Sequence, residues 1–120
     1  MKNVTLVLGA SANPNRYSNI AIKRLLDKEL FVKALGIKKG KVVTVKIDDE
    51  KQDYKNIDTV TLYLNPKRQE EYYNYIIGLK PRRVIFNPGA ENEEFVKLLE
   101  ENSIEPLVAC TLVMLSINEY

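Results

Sequence analysis

The sequence predicts one α/β domain, 1–120, built on a mostly parallel sheet of five or six strands. Short runs rich in Val, Ile and Leu alternate along the 120 residues with segments whose apolar side chains recur at helical spacing. The second half of the first run, LVL at 6–8, is wholly apolar, which is typical of a strand buried on both faces. Strands joined through right-handed helical crossovers run parallel, so we expect helices on both faces of the sheet.

The individual elements follow from the same patterns. Strands are predicted, in chain order, at 3–9, 30–35, 41–47, 58–64, 83–87 and 106–110. A first helix follows the first strand, because Ser18 or Asn19 can cap it and apolar residues then recur every three or four positions. Further helices are predicted at 67–79, at 91–102 and, shorter, within 111–118. The polar stretch 48–58 is predicted to be a surface loop. Together these elements make a small Rossmann-like three-layer sandwich.

The stretch VTLVLGASANPNRYS at 4–18 carries the strongest functional signal. Its order is a strand, a turn at Gly9 and a helix start, which is how open α/β folds build a phosphate site. The first N–H groups of a helix have no internal partner, and the helix dipole adds positive potential there. No glycine follows Gly9 until Gly36, so the dinucleotide fingerprint is absent. The pattern therefore favours a nucleotide-type ligand held by a different loop, with Gly9 allowing this ligand to approach the backbone.

The other predicted strands also end in unusual residues. Their ends read Leu35-Gly36, Leu64-Asn65-Pro66 and Asn87-Pro88-Gly89. Ligands of open α/β sheets bind beyond the carboxyl ends of the strands, where the strand order reverses. Turn chemistry alone could explain each Asn-Pro pair, but their repetition along one sheet edge favours a binding crevice.

Composition excludes several classes of protein. The net charge of +2 and the lack of long basic runs speak against nucleic acid, and no apolar run reaches the length of a membrane span. A single cysteine, Cys110, fits a reducing cytoplasm. The absence of histidine removes the commonest general base and metal ligand, so no catalytic and no metal residue is assigned. Catalysis would have to rest on carboxylates, Lys, Tyr or the single Cys, and Glu91 and Cys110 are the candidates for an enzyme.

Four segments resemble the CoA-binding domain family along essentially the whole chain. They are GASANPNRYSNIA at 9–21, TVTLYLNP at 59–66, RVIFNPGAENEE at 83–94 and ACTLVML at 109–115. They look like the small stand-alone members of the family, and resemble only in outline the N-terminal domain of the succinyl-CoA synthetase α subunit. The chain departs from its relatives at Lys28-Glu29-Leu30, where they have a glycine-containing turn. It also lacks the synthetase's ligase domain, so the resemblance implies binding without ligase chemistry.

The resemblance implies a binding role for each strand end. Around the pyrophosphate it places Gly9, Ala10, Ser11, Arg16, Tyr17 and Ser18. Beside the adenosine and its 3′-phosphate it places Gly36 and the following lysines, of which Lys38 is the main candidate. Along the adenine or pantetheine path it places Leu64, Asn65 and Pro66. Against the pantetheine arm it places Asn87, Pro88 and Gly89.

The expected function is therefore the binding of CoA or an acyl-CoA by a cytoplasmic, non-catalytic or regulatory module. An NAD(P)-type binder is the alternative; NAD would need an acidic residue where this chain has Ile37 and Lys38, but the 2′-phosphate of NADP would suit the lysines. A small acyl-CoA-using enzyme and a pure interaction protein are further alternatives. The ligand is a small molecule, with no nucleic acid or membrane involved, and a homo-oligomer or a partner enzyme is possible.

Overall fold

A computed structural model describes residues 2–120 and contains one seven-stranded sheet with the order β3-β4-β2-β1-β5-β6-β7. Every neighbouring pair is parallel except the β3/β4 hairpin. The strands are β1 Val4–Leu8, β2 Phe31–Leu35, β3 Gly40–Val42, β4 Val45–Asp48, β5 Ile57–Leu62, β6 Arg83–Phe86 and β7 Glu105–Val108. The predicted α/β class with a mostly parallel sheet is confirmed.

Helices cover both faces of the sheet. They are α1 Tyr17–Asp27, α2 Pro66–Gln69, α3 Tyr73–Leu79, α4 Glu93–Glu101 and α5 Thr111–Ser116. Side chains of β1 alternate between two cores: Leu6 and Leu8 pack in the layer of α3 and α4, whereas Val7 packs in the layer of α1 and α5. Across residues 2–120, no helix is both long enough and apolar enough to span a bilayer.

The sheet has more strands than the five or six expected, because the run 41–47 is not one strand. It divides into β3 and β4, which pair antiparallel through a two-residue turn at Val43 and Thr44. Val43 has a φ of +55°, a conformation in which a β-branched residue is unfavourable and a glycine is usual. Because the turn residues are themselves β-branched, the sequence of two short strands and their turn looks like one continuous strand.

The predicted helix 67–79 is also interrupted. A 3₁₀ turn at Glu70–Tyr72 separates α2 from α3. The remaining strands begin and end within two residues of their predicted bounds.

Helix α1 begins at Tyr17, before the predicted cap residues Ser18 and Asn19. Arg16 is the N-cap residue and contributes no side-chain cap, so the prediction that Ser18 or Asn19 caps the helix is wrong. Both residues are buried in the first turn instead. Asn19 Nδ2 donates to the carbonyl oxygen of Ser11 at 3.0 Å, so this side chain holds the loop that precedes the helix.

The same helix ends in a left-handed turn without a glycine. Glu29 takes a φ of +60°, its N–H donates to Leu26 at 2.8 Å, and the N–H of Leu30 donates to Leu25 at 3.1 Å. This is the Schellman arrangement that usually places glycine at the left-handed position. The chain therefore makes this turn with a glutamate in the left-handed position, and β2 pairs in register with β1 from Val4↔Phe31 to Leu8↔Leu35.

Candidate functional site

A cleft of about 890 Å³ opens at the carboxyl ends of β2, β1, β5 and β6. It lies where the strand order reverses, since the chain goes from β1 to β2 on one side and returns to β5 on the other. Eleven of the fourteen residues assigned from sequence line it: Gly9, Ala10, Ser11, Arg16, Tyr17, Ser18, Lys38, Leu64, Asn65, Pro88 and Gly89. Seven further residues complete the lining: Ala12, Asn13, Ile37, Lys39, Tyr63, Arg68 and Ala90.

Two glycines allow backbone segments to approach each other closely at the base of the cleft. An added Cβ on Gly9, whose φ is +93°, would lie 2.9 Å from the backbone C and O atoms of Tyr63, at the end of β5. A Cβ on Gly36 would lie 2.2 Å from the carbonyl oxygen of Ala10. Contact with the neighbouring strand end therefore by itself requires a glycine at position 9. Gly36 does not line the cleft; it supports the loop that does.

The loop between β1 and α1 is held by its own side chains. The backbone N–H of Asn13 donates to Ser11 Oγ at 3.1 Å, and that of Asn15 donates to Asn13 Oδ1 at 2.9 Å. Beyond the loop, the N–H groups of Tyr17 and Ser18 find no acceptor within residues 2–120. Two free donors at the start of an eleven-residue helix are thus available to a ligand anion.

The cleft is cationic. Arg16, Lys38, Lys39 and Arg68 line it, and no Asp or Glu belongs to the lining. The ion pairs found within residues 2–120 involve none of these four side chains. Unpaired cations in a concave surface attract anionic ligands and raise their local concentration. The sequence reasoning missed Arg68, although it stands three residues after the Asn65 that was singled out.

Two large apolar side chains flank these cations in an exposed position. Tyr17 is 71% exposed and Ile37 is 70% exposed, and both line the cleft. Neither helps to fill a core in this structure. An exposed aromatic ring and an exposed branched chain beside unpaired cations form a suitable contact for a planar group of a ligand.

The wall formed by β5 and β6 depends on a residue that sequence reasoning did not single out. Gln69 is fully buried, and its Nε2 donates to the carbonyl oxygens of Leu64 at 2.9 Å and Ala90 at 2.7 Å. Its Oε1 accepts from Asn92 Nδ2 at 2.9 Å. Asn65 accepts the N–H of Arg68 at 2.9 Å and so caps α2. With Pro66 at the first helical position, this Asn-Pro pair is a helix start signal that the sequence did contain.

Asn87 lies beneath the cleft and does not line it. The side chain is 2% exposed; its Nδ2 donates to Thr61 Oγ1 at 2.7 Å and to Leu62 O at 2.8 Å, and its Oδ1 accepts the N–H of Thr111 at 2.8 Å. These bonds anchor the turn that follows, where Gly89 has a φ of +93°. Pro66 does not line the cleft either.

The two residues considered for catalysis lie outside the lining. Glu91 Oε1 accepts the N–H of Gly89 at 2.8 Å, and Cys110 is the N-cap residue of α5. The titratable side chain of the lining with a strong shift is Tyr63, because burial raises its pKa to about 12. Its phenol therefore stays protonated at neutral pH. Within residues 2–120, no group of three His, Cys, Asp or Glu side chains could hold a metal ion.

Comparison with known proteins places the chain in a family. A family described as CoA binding domain matches residues 3–116. No protein of curated function matches. A crystal structure of an uncharacterized protein is 48% identical with a TM-score of 0.96, over 100% of this chain and 99% of the other. A hypothetical protein from Pyrococcus horikoshii OT3 is 29% identical with a TM-score of 0.82, over 93% of this chain and 80% of the other.

A more distant structure shares the fold alone. It is the dinucleotide-forming acetyl-coenzyme A synthetase 1 of Ca. Korarchaeum cryptofilum, in complex with phosphate and ADP. The identity is 14% and the TM-score is 0.74, over 88% of this chain and 25% of the synthetase. Since the family match covers nearly all of the chain, from residue 3 to residue 116, this chain belongs to the CoA binding domain family.

Proposed function

We propose that this protein binds CoA or an acyl-CoA in the cleft, as a non-catalytic or regulatory module. The observation that carries the proposal is the group of three unpaired cations, Arg16, Lys38 and Lys39, on the β2 and β1 side of a cleft of about 890 Å³ whose lining has no carboxylate. The volume is of the size that binds cofactors. Membership of the CoA binding domain family supports CoA as the ligand.

The order of residues along the sheet edge matches the parts of such a ligand. Strands lie about 4.8 Å apart, so the edge from β2 to β6 spans about 14 Å. On the β2 flank, Lys38 and Lys39 suit the 3′-phosphate, and Ile37 with Tyr17 suits the adenine. The pyrophosphate then meets Arg16 and the free N–H groups at the start of α1. The pantetheine arm crosses Leu64 towards the turn at Pro88 and Gly89.

The absence of a catalytic role is part of the proposal. An acyl-transfer reaction needs a nucleophile or a base beside the thioester. Cys110 and Glu91 do not line the cleft, and the Glu91 carboxylate is engaged by the N–H of Gly89. We expect acetyl-CoA to bind and to stay intact for hours at neutral pH. Release of free thiol, lost in Cys110→Ser or Glu91→Gln, would establish an enzyme.

Calorimetry with CoA, dephospho-CoA, NADP and NAD tests the ligand. CoA should bind a few-fold more tightly than dephospho-CoA, since an exposed ion pair between a lysine and the 3′-phosphate contributes about 0.2–1 kcal/mol. Lys38→Ala should remove this difference. Lys41→Ala is the matched control, because Lys41 is an exposed lysine of β3 outside the lining. Tighter binding of NADP than of CoA would favour the dinucleotide alternative, which the same lysines would suit.

Replacement of Arg16 tests the side of the cleft that the loop between β1 and α1 forms. Arg16→Ala should weaken CoA binding by about 1.5–3 kcal/mol, the contribution of a charge-assisted hydrogen bond. An unchanged affinity would show that this guanidinium faces only water.

A further inference from the structure

We propose that the cleft prefers an acyl-CoA whose acyl group ends in a carboxylate, and that Arg68 binds this carboxylate. The inference rests on the proposed function and goes further, because it names the class of acyl group. It comes from the uneven distribution of the cations along the sheet edge.

Three of the four cations lie on the β2 and β1 side of the cleft. Lys38 and Lys39 follow β2, and Arg16 ends the loop after β1, beside the free N–H groups of α1. This side holds the donors that a pyrophosphate and a ribose phosphate require. These groups are sufficient to bind the phosphates of the ligand, so Arg68 is not needed for that purpose.

Arg68 lies on the opposite side. It belongs to α2, which follows β5, and the next residue, Gln69, is hydrogen bonded to the carbonyl oxygens of Leu64 and Ala90. These two bonds fix α2 against the turn after β6. The base of the Arg68 side chain is therefore held on the wall along which the pantetheine arm runs towards the thioester.

The guanidinium of Arg68 has no anionic partner in the part of the chain that the structure describes. It is exposed, and no carboxylate within residues 2–120 forms an ion pair with it. The Glu91 carboxylate accepts from the N–H of Gly89 and does not line the cleft. An uncharged acyl group would leave this cation to water, whereas a terminal carboxylate offers two oxygens that match the fork of a guanidinium.

Malonyl-CoA and isovaleryl-CoA are the appropriate probes, because their acyl groups have the same branching and number of heavy atoms and differ in charge. Calorimetry would measure the dissociation constants of these two compounds and of CoA for three proteins: the parent, Arg68→Gln and Lys67→Gln. Lys67 is the matched control: it is an exposed cation of the same helix that does not line the cleft. Succinyl-CoA against 4-methylpentanoyl-CoA repeats the comparison with a longer acyl group.

The parent should bind malonyl-CoA about fivefold more tightly than isovaleryl-CoA, the size of effect that an exposed ion pair gives. Arg68→Gln should lose this preference while it binds CoA within about twofold of the parent, and Lys67→Gln should keep the preference. Both variants should unfold at the temperature of the parent, since both side chains are exposed and neither forms an ion pair within residues 2–120.

Equal affinity of the parent for both members of both pairs would overturn the inference and leave the proposed function standing. An equal loss for CoA, malonyl-CoA and isovaleryl-CoA in Arg68→Gln would also overturn it, because Arg68 would then bind a phosphate. If the parent binds no CoA compound at all, the proposed function itself fails.

Discussion

Replacement of Gln69 by leucine tests whether this buried amide holds the β5–β6 wall of the cleft. The leucine side chain has a similar volume but no polar atoms. It would leave the carbonyl oxygens of Leu64 and Ala90 without the donors that now lie at 2.9 and 2.7 Å, and Asn92 Nδ2 without one of its two acceptors. A buried polar group that loses its partner costs about 1–3 kcal/mol.

With two carbonyl groups left unsatisfied and part of the cost regained by the apolar side chain, we expect Gln69→Leu to lower the free energy of unfolding by about 2–5 kcal/mol. That is a large part of the about 6–18 kcal/mol expected for a chain of this length. Urea unfolding followed by circular dichroism measures the loss. Because both carbonyl groups belong to the cleft walls, the affinity for CoA should fall as well.

Gln52→Leu is the control, since Gln52 is exposed and its side chain makes one local bond, to Glu50 O. It should change stability by no more than about 0.5 kcal/mol. A loss below about 1 kcal/mol in Gln69→Leu would refute the reasoning, because the wall would then be held by packing alone.

Three further predictions concern stability. Glu29→Gly should raise the free energy of unfolding by about 1 kcal/mol in urea titrations, because glycine takes the left-handed turn without strain; a loss would show that the glutamate side chain matters there. Gly36→Ala should cost about 3 kcal/mol or more, since its Cβ would lie 2.2 Å from a backbone carbonyl oxygen, whereas Gly78→Ala should be neutral or stabilising because no atom lies within 4 Å. The carboxyl of Asp58 has a lowered pKa: burial raises it, but hydrogen bonds from Arg82 and a neighbouring hydroxyl lower it more. Its contribution to stability is therefore present above its usual pKa of 3.8 and is lost as the pH falls through the lower folded value, so Asp58→Asn should flatten the acid limb of a stability–pH curve.

The parts of this fold that could be predicted are those that local pattern determines. Continuous apolar runs located the strands, and the parallel order placed their carboxyl ends at one edge. Most of the residues between Gly9 and the first helix therefore line the cleft. Asn-Pro and Pro-Gly marked the ends of β5 and β6, although the Asn87 side chain proved to be buried in a hydrogen-bond network below the cleft.

What could not be predicted depends on contacts between distant segments. The hairpin turn at Val43 contains no glycine or asparagine that would indicate it in the sequence, and the left-handed turn at Glu29 contains none either. The burial of Gln69 arises only when α2 meets the turn after β6, since nothing in PKRQEE distinguishes this glutamine from a solvated one. The clash that makes Gly36 necessary comes from a loop 26 residues earlier in the chain.

Amide chemical shifts measured during a titration with CoA show whether CoA occupies the cleft at the strand ends, as proposed. The largest shifts should occur at Tyr17, Ser18, Lys38 and Gly89, and they should saturate with one equivalent of ligand. Amides of β7, at the far edge of the sheet, should hardly move. Shifts concentrated outside the cleft lining, or no saturable shift at millimolar CoA, would mean that CoA does not bind there.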